Sequence, residues 1–140
     1  MTTRGRVLAL DLGKKRIGLA ISDELGITAQ GLPTLERRNK RVDFAELSRL
    51  ARENKVTQIV LGLPLRMSGV EGTQADWVRA FADELKAFVD APIELRDERW
   101  TSKQAERVLA GSGIRNQDRK PAIDRISAVI LLQDYLDSLP

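Results

Sequence analysis

The chain has no cysteine and no histidine. Without cysteine there can be no disulfide, no thiolate nucleophile and no thiolate zinc site. Losing histidine excludes more: imidazole general bases, serine triads of the usual kind and nearly all zinc enzymes. No apolar stretch approaches the ~20 residues that cross a bilayer, and the apolar run after Arg4 and Arg6 is broken by Asp11, too early for a signal peptide. The expected location is the cytoplasm, with no membrane partner. Chemistry at neutral pH is left to carboxylates, Lys, Tyr, Ser/Thr or a hard metal ion. Carboxylates with Mg²⁺ or Mn²⁺ suit this inventory best.

With 140 residues, 42% of them hydrophobic, the chain can build one ordinary domain, expected to span 1–140. It contains no repeat, low-complexity tract or linker. The formal charge is only +3, but the cations are clustered: Lys14, Lys15 and Arg16; Arg37, Arg38, Lys40 and Arg41; Arg115, Arg119, Lys120 and Arg125. Such clusters in loop-like positions suit phosphate contacts, although each is equally consistent with ordinary solvated charge.

Apolar runs at Arg6–Leu12 and Arg16–Ser22 predict two strands turning around Gly13 and the lysines, and Thr28–Leu35 predicts a third, with Pro33 favouring an edge or a strand end. Phe44, Leu47, Leu50 and Ala51 repeat at helical spacing. Gln58–Leu61 reads as a strand. Val78, Phe81, Ala82, Leu85 and Val89 mark a second helix, and Ile93 with Leu95 a fifth strand. Thr101 and Gln104 form a capping box for a third helix, and Pro121 suits the first turn of a last one running to about Leu136. Strand-helix-strand units imply parallel pairing, and the opening hairpin makes the sheet mixed. No G-x-G-x-x-G follows the first strand, so a dinucleotide site has no support.

Three acids stand out. Asp11 shares a face with Val7 and Ala9 by strand parity, where a lone carboxylate is costly unless paired or bound to a metal; the alternative is a turn aspartate before Gly13. Asp124 heads a helical stripe with Ala128, Leu131 and Tyr135, or is simply an acid favoured in a first helical turn. Asp97 and Glu98 end the fifth strand, where open α/β sheets bind ligands; they serve equally well as surface ion-pair partners. The glycines of Gly62-Leu63-Pro64-Leu65, Gly69 and Gly72 form a loop whose amides could approach a phosphate.

Taken together, these segments resemble the YqgF family, also called RuvX, a bacterial family related to RuvC-type Holliday junction resolvases. Asp11-Leu12-Gly13-Lys14-Lys15-Arg16-Ile17-Gly18 is similar to its first motif, and Gly62-Leu63-Pro64-Leu65 through Gly72 to its second. Asp97-Glu98-Arg99 with Thr101 and Ser102 is similar to the third, and Asp124 with Ala128 and residues 131–133 to the last. The resemblance covers nearly the whole chain. It implies an α/β, ribonuclease H-like fold with a mixed five-stranded sheet flanked by helices. It also implies a nuclease that matures the 5′ end of pre-16S ribosomal RNA or, as some members are described, cuts four-way DNA junctions. A catalytically inactive nucleic-acid-binding module is the other alternative.

Carried over by motif, Asp11, Glu98 and Asp124 are the catalytic and metal-binding acids for Mg²⁺ or Mn²⁺. Lys14, Lys15, Arg16, Arg99, Lys120 and Arg125 are the nucleic-acid contacts. A symmetric junction substrate would imply a homodimer. The chain departs from the family pattern at Ala122, where many relatives carry lysine, leaving Lys120 as the substitute, and at Arg125, where a small residue is usual. Ser127, three positions after Asp124, supplies no fourth carboxylate. Strand parity, counted with Ile93 and Leu95 as the buried set, favours Asp97 over Glu98; the resemblance favours Glu98.

Overall fold

The computed structural model describes residues 5–63, 73–97 and 116–139. Five strands, β1 (Arg6–Leu12), β2 (Arg16–Ser22), β3 (Ala29–Glu36), β4 (Val56–Leu63) and β5 (Ile93–Asp97), form one sheet in the order β3-β2-β1-β4-β5. The β1, β2 and β3 pairings are antiparallel, whereas β1 with β4 and β4 with β5 are parallel. Helices α1 (Lys40–Glu53), α2 (Thr73–Leu85) and α3 (Asn116–Asp137) complete the described elements. This is the mixed five-stranded sheet with flanking helices expected from the strand order. No described helix is long and apolar enough to cross a membrane.

Strand alternation divides the core in two. Leu8, Leu10, Leu12, Ile59, Leu61 and Leu63 point to one face, where Phe44 and Leu47 of α1 and Val78, Phe81 and Leu85 of α2 cover them. Val7, Ala9, Ala20 and Val60 point to the other, under Ala128, Leu131, Leu132 and Tyr135 of α3. Two crossovers that step across a sheet in the same direction put their helices on the same side, which accounts for α1 and α2 sharing a face. Phe44 binds the two together through rings 5.0 Å away at Phe81 and at Phe88.

Pro33 falls inside β3, on the edge strand, where the register with β2 slips between Ile17 and Leu19. A missing N–H does least harm at an edge irregularity. The last helix differs from the sequence expectation: it starts at Asn116, so Pro121 lies in its second turn instead of its first. The amide that Pro121 lacks would have donated to the carbonyl of residue 117, so one bond of the helical ladder is missing near its start. The second helix also ends earlier than the apolar spacing suggested, at Leu85, and residues 86–88 continue as turns. The expected helix at Thr101–Leu109 lies outside the described residues.

Gln133 fastens α3 to the sheet. Its side-chain oxygen accepts from the Ala29 amide at 3.1 Å, and its nitrogen donates to the Ile27 carbonyl at 3.0 Å. Further along, α3 approaches β3 so closely that a Cβ on Gly31 would lie 2.7 Å from Cγ of Arg125.

Candidate active site

Asp11 lies near the end of β1, half-buried, with Val7 and Ala9 on the same face of the strand. That is the face α3 covers. Its register partner on β2 is Gly18. On β4, Gly62 follows Leu61, the partner of Leu10, and has the parity of Val60. Both neighbouring strands therefore present glycine, with no side chain, beside the carboxylate. Apolar side chains at either position would fill that space and desolvate the acid.

The opposing wall is α3. Ala128, Leu131 and Tyr135 are buried against the sheet, as the helical stripe from Asp124 predicts, and the backbone carries Asp124 one turn before Ala128. Ser127 is fully buried on the same helix, and its hydroxyl has no hydrogen-bond partner among the described residues. Burying a hydroxyl without a partner costs about 1–3 kcal/mol, so Ser127 is a polar group left available within the α3 packing.

The faces of β5 are resolved by its contacts. Ile93 and Leu95 pack on the α1/α2 core. Arg96 turns the other way, 3.3 Å from Asp134 of α3 and over the Tyr135 ring at 5.7 Å. Burial raises the Tyr135 phenol above its ordinary value; Glu94 adds to the shift and Arg96 opposes it. Because both faces of this sheet are covered, counting apolar partners does not identify Asp11's face. Asp11 shares the α3 side with Glu94 and Arg96. Asp97 ends β5 in register with Leu63. Glu98 and Arg99 lie outside the described residues, and among the described residues no three acids converge on one point.

Of the expected nucleic-acid contacts, Lys14 and Lys15 are exposed at the β1–β2 turn, and Arg16 is half-buried at the start of β2. The turn is closed by the Gly13 amide donating to the Arg16 carbonyl at 2.9 Å; a Cβ on Gly13 would meet that oxygen at 2.6 Å. Arg125 is exposed, its aliphatic stem laid over Gly31. Lys120 belongs to α3.

Sequence reading placed Arg37 in a basic cluster suited to phosphate contacts or to ordinary solvated charge, and passed over Asp43. The structure buries Asp43 to 1% exposure and sets Arg37 Nε 3.5 Å from its Oδ2. The Arg37 guanidinium also donates to the Gly13 carbonyl at 3.0 Å and lies over the Trp77 and Phe81 rings. Its backbone amide donates to the Lys15 carbonyl at 2.8 Å. One arginine thus braces the turn that carries the first motif. The only local hint was an acid in the first turn after the Asn39 cap, whose side chain accepts from the Val42 amide.

The RuvX family model, described as Holliday junction resolvase, matches residues 5–138. The chain belongs to this family. A relative from Koribacter versatilis, provisionally named pre-16S rRNA nuclease, is 50% identical over 133 residues, covering 95% of this chain and 87% of the relative. Another of the same provisional name, from Moorella thermoacetica, is 47% identical over 134 residues and covers 96% of both chains. Among solved structures, T. thermophilus RuvC in complex with a Holliday junction substrate superposes with a TM-score of 0.57 at 13% identity, covering 95% of this chain and 94% of RuvC. The fowlpox virus Holliday junction resolvase gives 0.57 at 16% identity, covering 96% and 99%. At these identities the likeness concerns the fold, which is the ribonuclease H-like fold. Of the four motif segments, the described residues fall on β1 and its turn, at the end of β4 (Gly62 and Leu63), at the end of β5 (Asp97) and on α3.

Proposed function

We propose that this RuvX-family chain is a metal-dependent nuclease of the cytoplasm that hydrolyses phosphodiester bonds in the maturation of pre-16S ribosomal RNA. The observation that carries the reading is the placement of Asp11. It is a half-buried carboxylate on the α3 side of the sheet, at the edge where β1, β4 and β5 all end, and it faces the helix whose backbone carries Asp124. The relatives at 50% and 47% identity bear the same provisional name.

Asp11, Glu98 and Asp124 would hold Mg²⁺ or Mn²⁺. The fit rests on donor chemistry: carboxylates suit hard cations, and the Gly18 and Gly62 positions leave room beside Asp11. When bound there, the ion supplies Lewis acidity toward a phosphate oxygen and favours ionisation of a water. Lys14, Lys15, Arg16, Arg99, Lys120 and Arg125 would neutralise backbone phosphates and hold the strand against the edge. The chain has no histidine, so proton transfer cannot run through an imidazole.

The family description and the resolvase fold favour one second reading, cleavage of four-way DNA junctions. A symmetric junction needs two active sites, hence a homodimer. The test is a side-by-side cleavage assay with Mg²⁺ or Mn²⁺ on a pre-16S RNA fragment and on a four-way DNA junction. Cutting of the RNA alone supports the proposal, cutting of the junction alone supports the second reading, and cutting of neither, with metal present, removes both.

A further inference from the structure

On the opposite side of the sheet from Asp11, a cavity of about 710 Å³ opens between the β1–β2 turn, the start of α1 and α2. It lies at the same sheet edge as Asp11, because β3, which precedes α1, runs antiparallel to β2 and so ends where β1 ends. Its wall includes the half-buried indole of Trp77, and its cations come from three separate segments: Lys14 on the turn, Arg37 and Arg38 after β3, and Lys40 on α1.

These cations are not equivalent. Arg37 is committed to Asp43, to the Gly13 carbonyl and to the two ring faces. Lys40 reaches Glu84 at 3.0 Å. Lys14 and Arg38 are exposed, and neither side chain makes an ion pair among the described residues. Arg38 is nevertheless anchored, since its amide donates to the buried Asp43 carboxylate at 3.1 Å. Lys14 is anchored through its turn, which Arg37 holds from both sides. The pair Asp43–Arg37 fixes the frame, and two uncommitted cations project from it beside an aromatic wall.

The geometry points to this cavity as a subsite for an unpaired nucleotide of the substrate strand, its base against Trp77 and its flanking phosphates at Lys14 and Arg38. This deepens the nuclease reading and rests on it. Arg37 covers one face of the indole; a base would meet the remaining half-exposed surface of the ring, and a base is free to leave its stack only where the strand is unpaired. The volume lies in the range of pockets that take a nucleotide-sized ligand. A strand crossing the edge passes Asp11 on one side of the β1–β2 turn and meets Lys14, three residues on, at the mouth of the cavity. The substrate class that follows is a strand unpaired next to the bond to be cut, not a fully paired duplex.

The test is a fluorescence-anisotropy titration of the full chain in chelator, so that nothing is cut, with a labelled single-stranded RNA and a duplex of the same sequence. Arg38→Ala, an exposed substitution with no core contact, is expected to weaken single-strand binding and to lower the salt slope by about 0.7. Trp77→Ala is expected to lose about tenfold in single-strand affinity with duplex binding unmoved, and Trp77→Phe to recover most of the loss. If Arg38→Ala leaves both single-strand affinity and salt slope unchanged, or if the Trp77 variants weaken duplex and single strand equally, the assignment is wrong. Competition by a free nucleoside monophosphate at the concentration at which the oligonucleotide competes would also overturn it, because the site would then hold a free nucleotide and not a strand. The two readings fail separately. A chain that binds the unpaired strand through Arg38 and Trp77 but cuts nothing with metal loses the nuclease reading and keeps the subsite. A nuclease indifferent to both residues loses the subsite alone.

Discussion

Replacing Asp43 by Ala tests whether the Arg37–Asp43 pair is the brace on which the first motif depends. The carboxylate is 1% exposed and the Arg37 side chain 12%. Removing it takes away the acceptor of the Arg38 amide at 3.1 Å and the partner of Arg37 Nε at 3.5 Å. A hydrogen bond to a charged group is worth about 1.5–3 kcal/mol, and stranding one member of a buried pair costs about 3–5 kcal/mol. Arg37 keeps the Gly13 carbonyl and two aromatic faces and borders an open cavity, so the lower part of that range applies, about 3 kcal/mol. A 140-residue chain has an unfolding entropy of about 0.3 kcal/mol per kelvin, so Tm should fall by about 10 °C. Asp43→Asn keeps an oxygen for the Arg38 amide and should lose about half as much. The double variant Arg37→Met, Asp43→Leu removes both charges and should regain much of the loss. Thermal melts followed by circular dichroism, with urea titrations to check that the slope is constant, give all three values. A shift under about 3 °C for Asp43→Ala, or a double variant no better than the single one, would refute the idea that charge stranding is the cost.

Asp11→Asn removes the charge but little volume, so cleavage with Mg²⁺ or Mn²⁺ should fall by orders of magnitude while melting temperature and RNA binding hold; full cleavage by wild type in a chelator would contradict the metal role of Asp11. Glu98→Gln should abolish cleavage in a folded protein, whereas Asp97→Asn should mainly lower stability; the reverse pattern in a cleavage assay paired with melts would move the ligand to Asp97. The Tyr135 phenol is raised by burial, so its neutral form is favoured in the fold: the contribution is fully present below the ordinary tyrosine value of about 10 and is lost as pH rises through the raised one. Tyr135→Phe should flatten the alkaline limb of a Tm-against-pH profile, and an unchanged limb would place that dependence elsewhere.

Much of the fold was legible because strand alternation is a local property. The run Val7 to Leu12 alternates between two buried sets, and Asp11 had to share a face with Val7 and Ala9 whatever covered it. The helical stripe of Ala128, Leu131 and Tyr135 was equally plain, because an offset of three or four residues returns to one side of a helix. Ends were less legible. Apolar spacing did not mark the start of α3 at Asn116, because residues 116–120 carry no apolar side chain to set a period.

Sequence was enough for the order of strands, the mixed sheet, the parity of Asp11 and the family motifs, all of which depend on neighbours along the chain. Tertiary structure decided which helix covers which face. Parity along β5 separates Ile93 and Leu95 from Glu94 and Arg96, but it is silent on which set shares a side with Asp11 until β4 pairs with both strands and α3 packs down. With both faces buried, apolar character no longer distinguishes them. The same holds for Arg37 and Asp43, six positions apart, whose value comes from Trp77 of a distant helix and the Gly13 carbonyl of an earlier turn. Their burial is a consequence of long-range packing, and no local pattern encodes it.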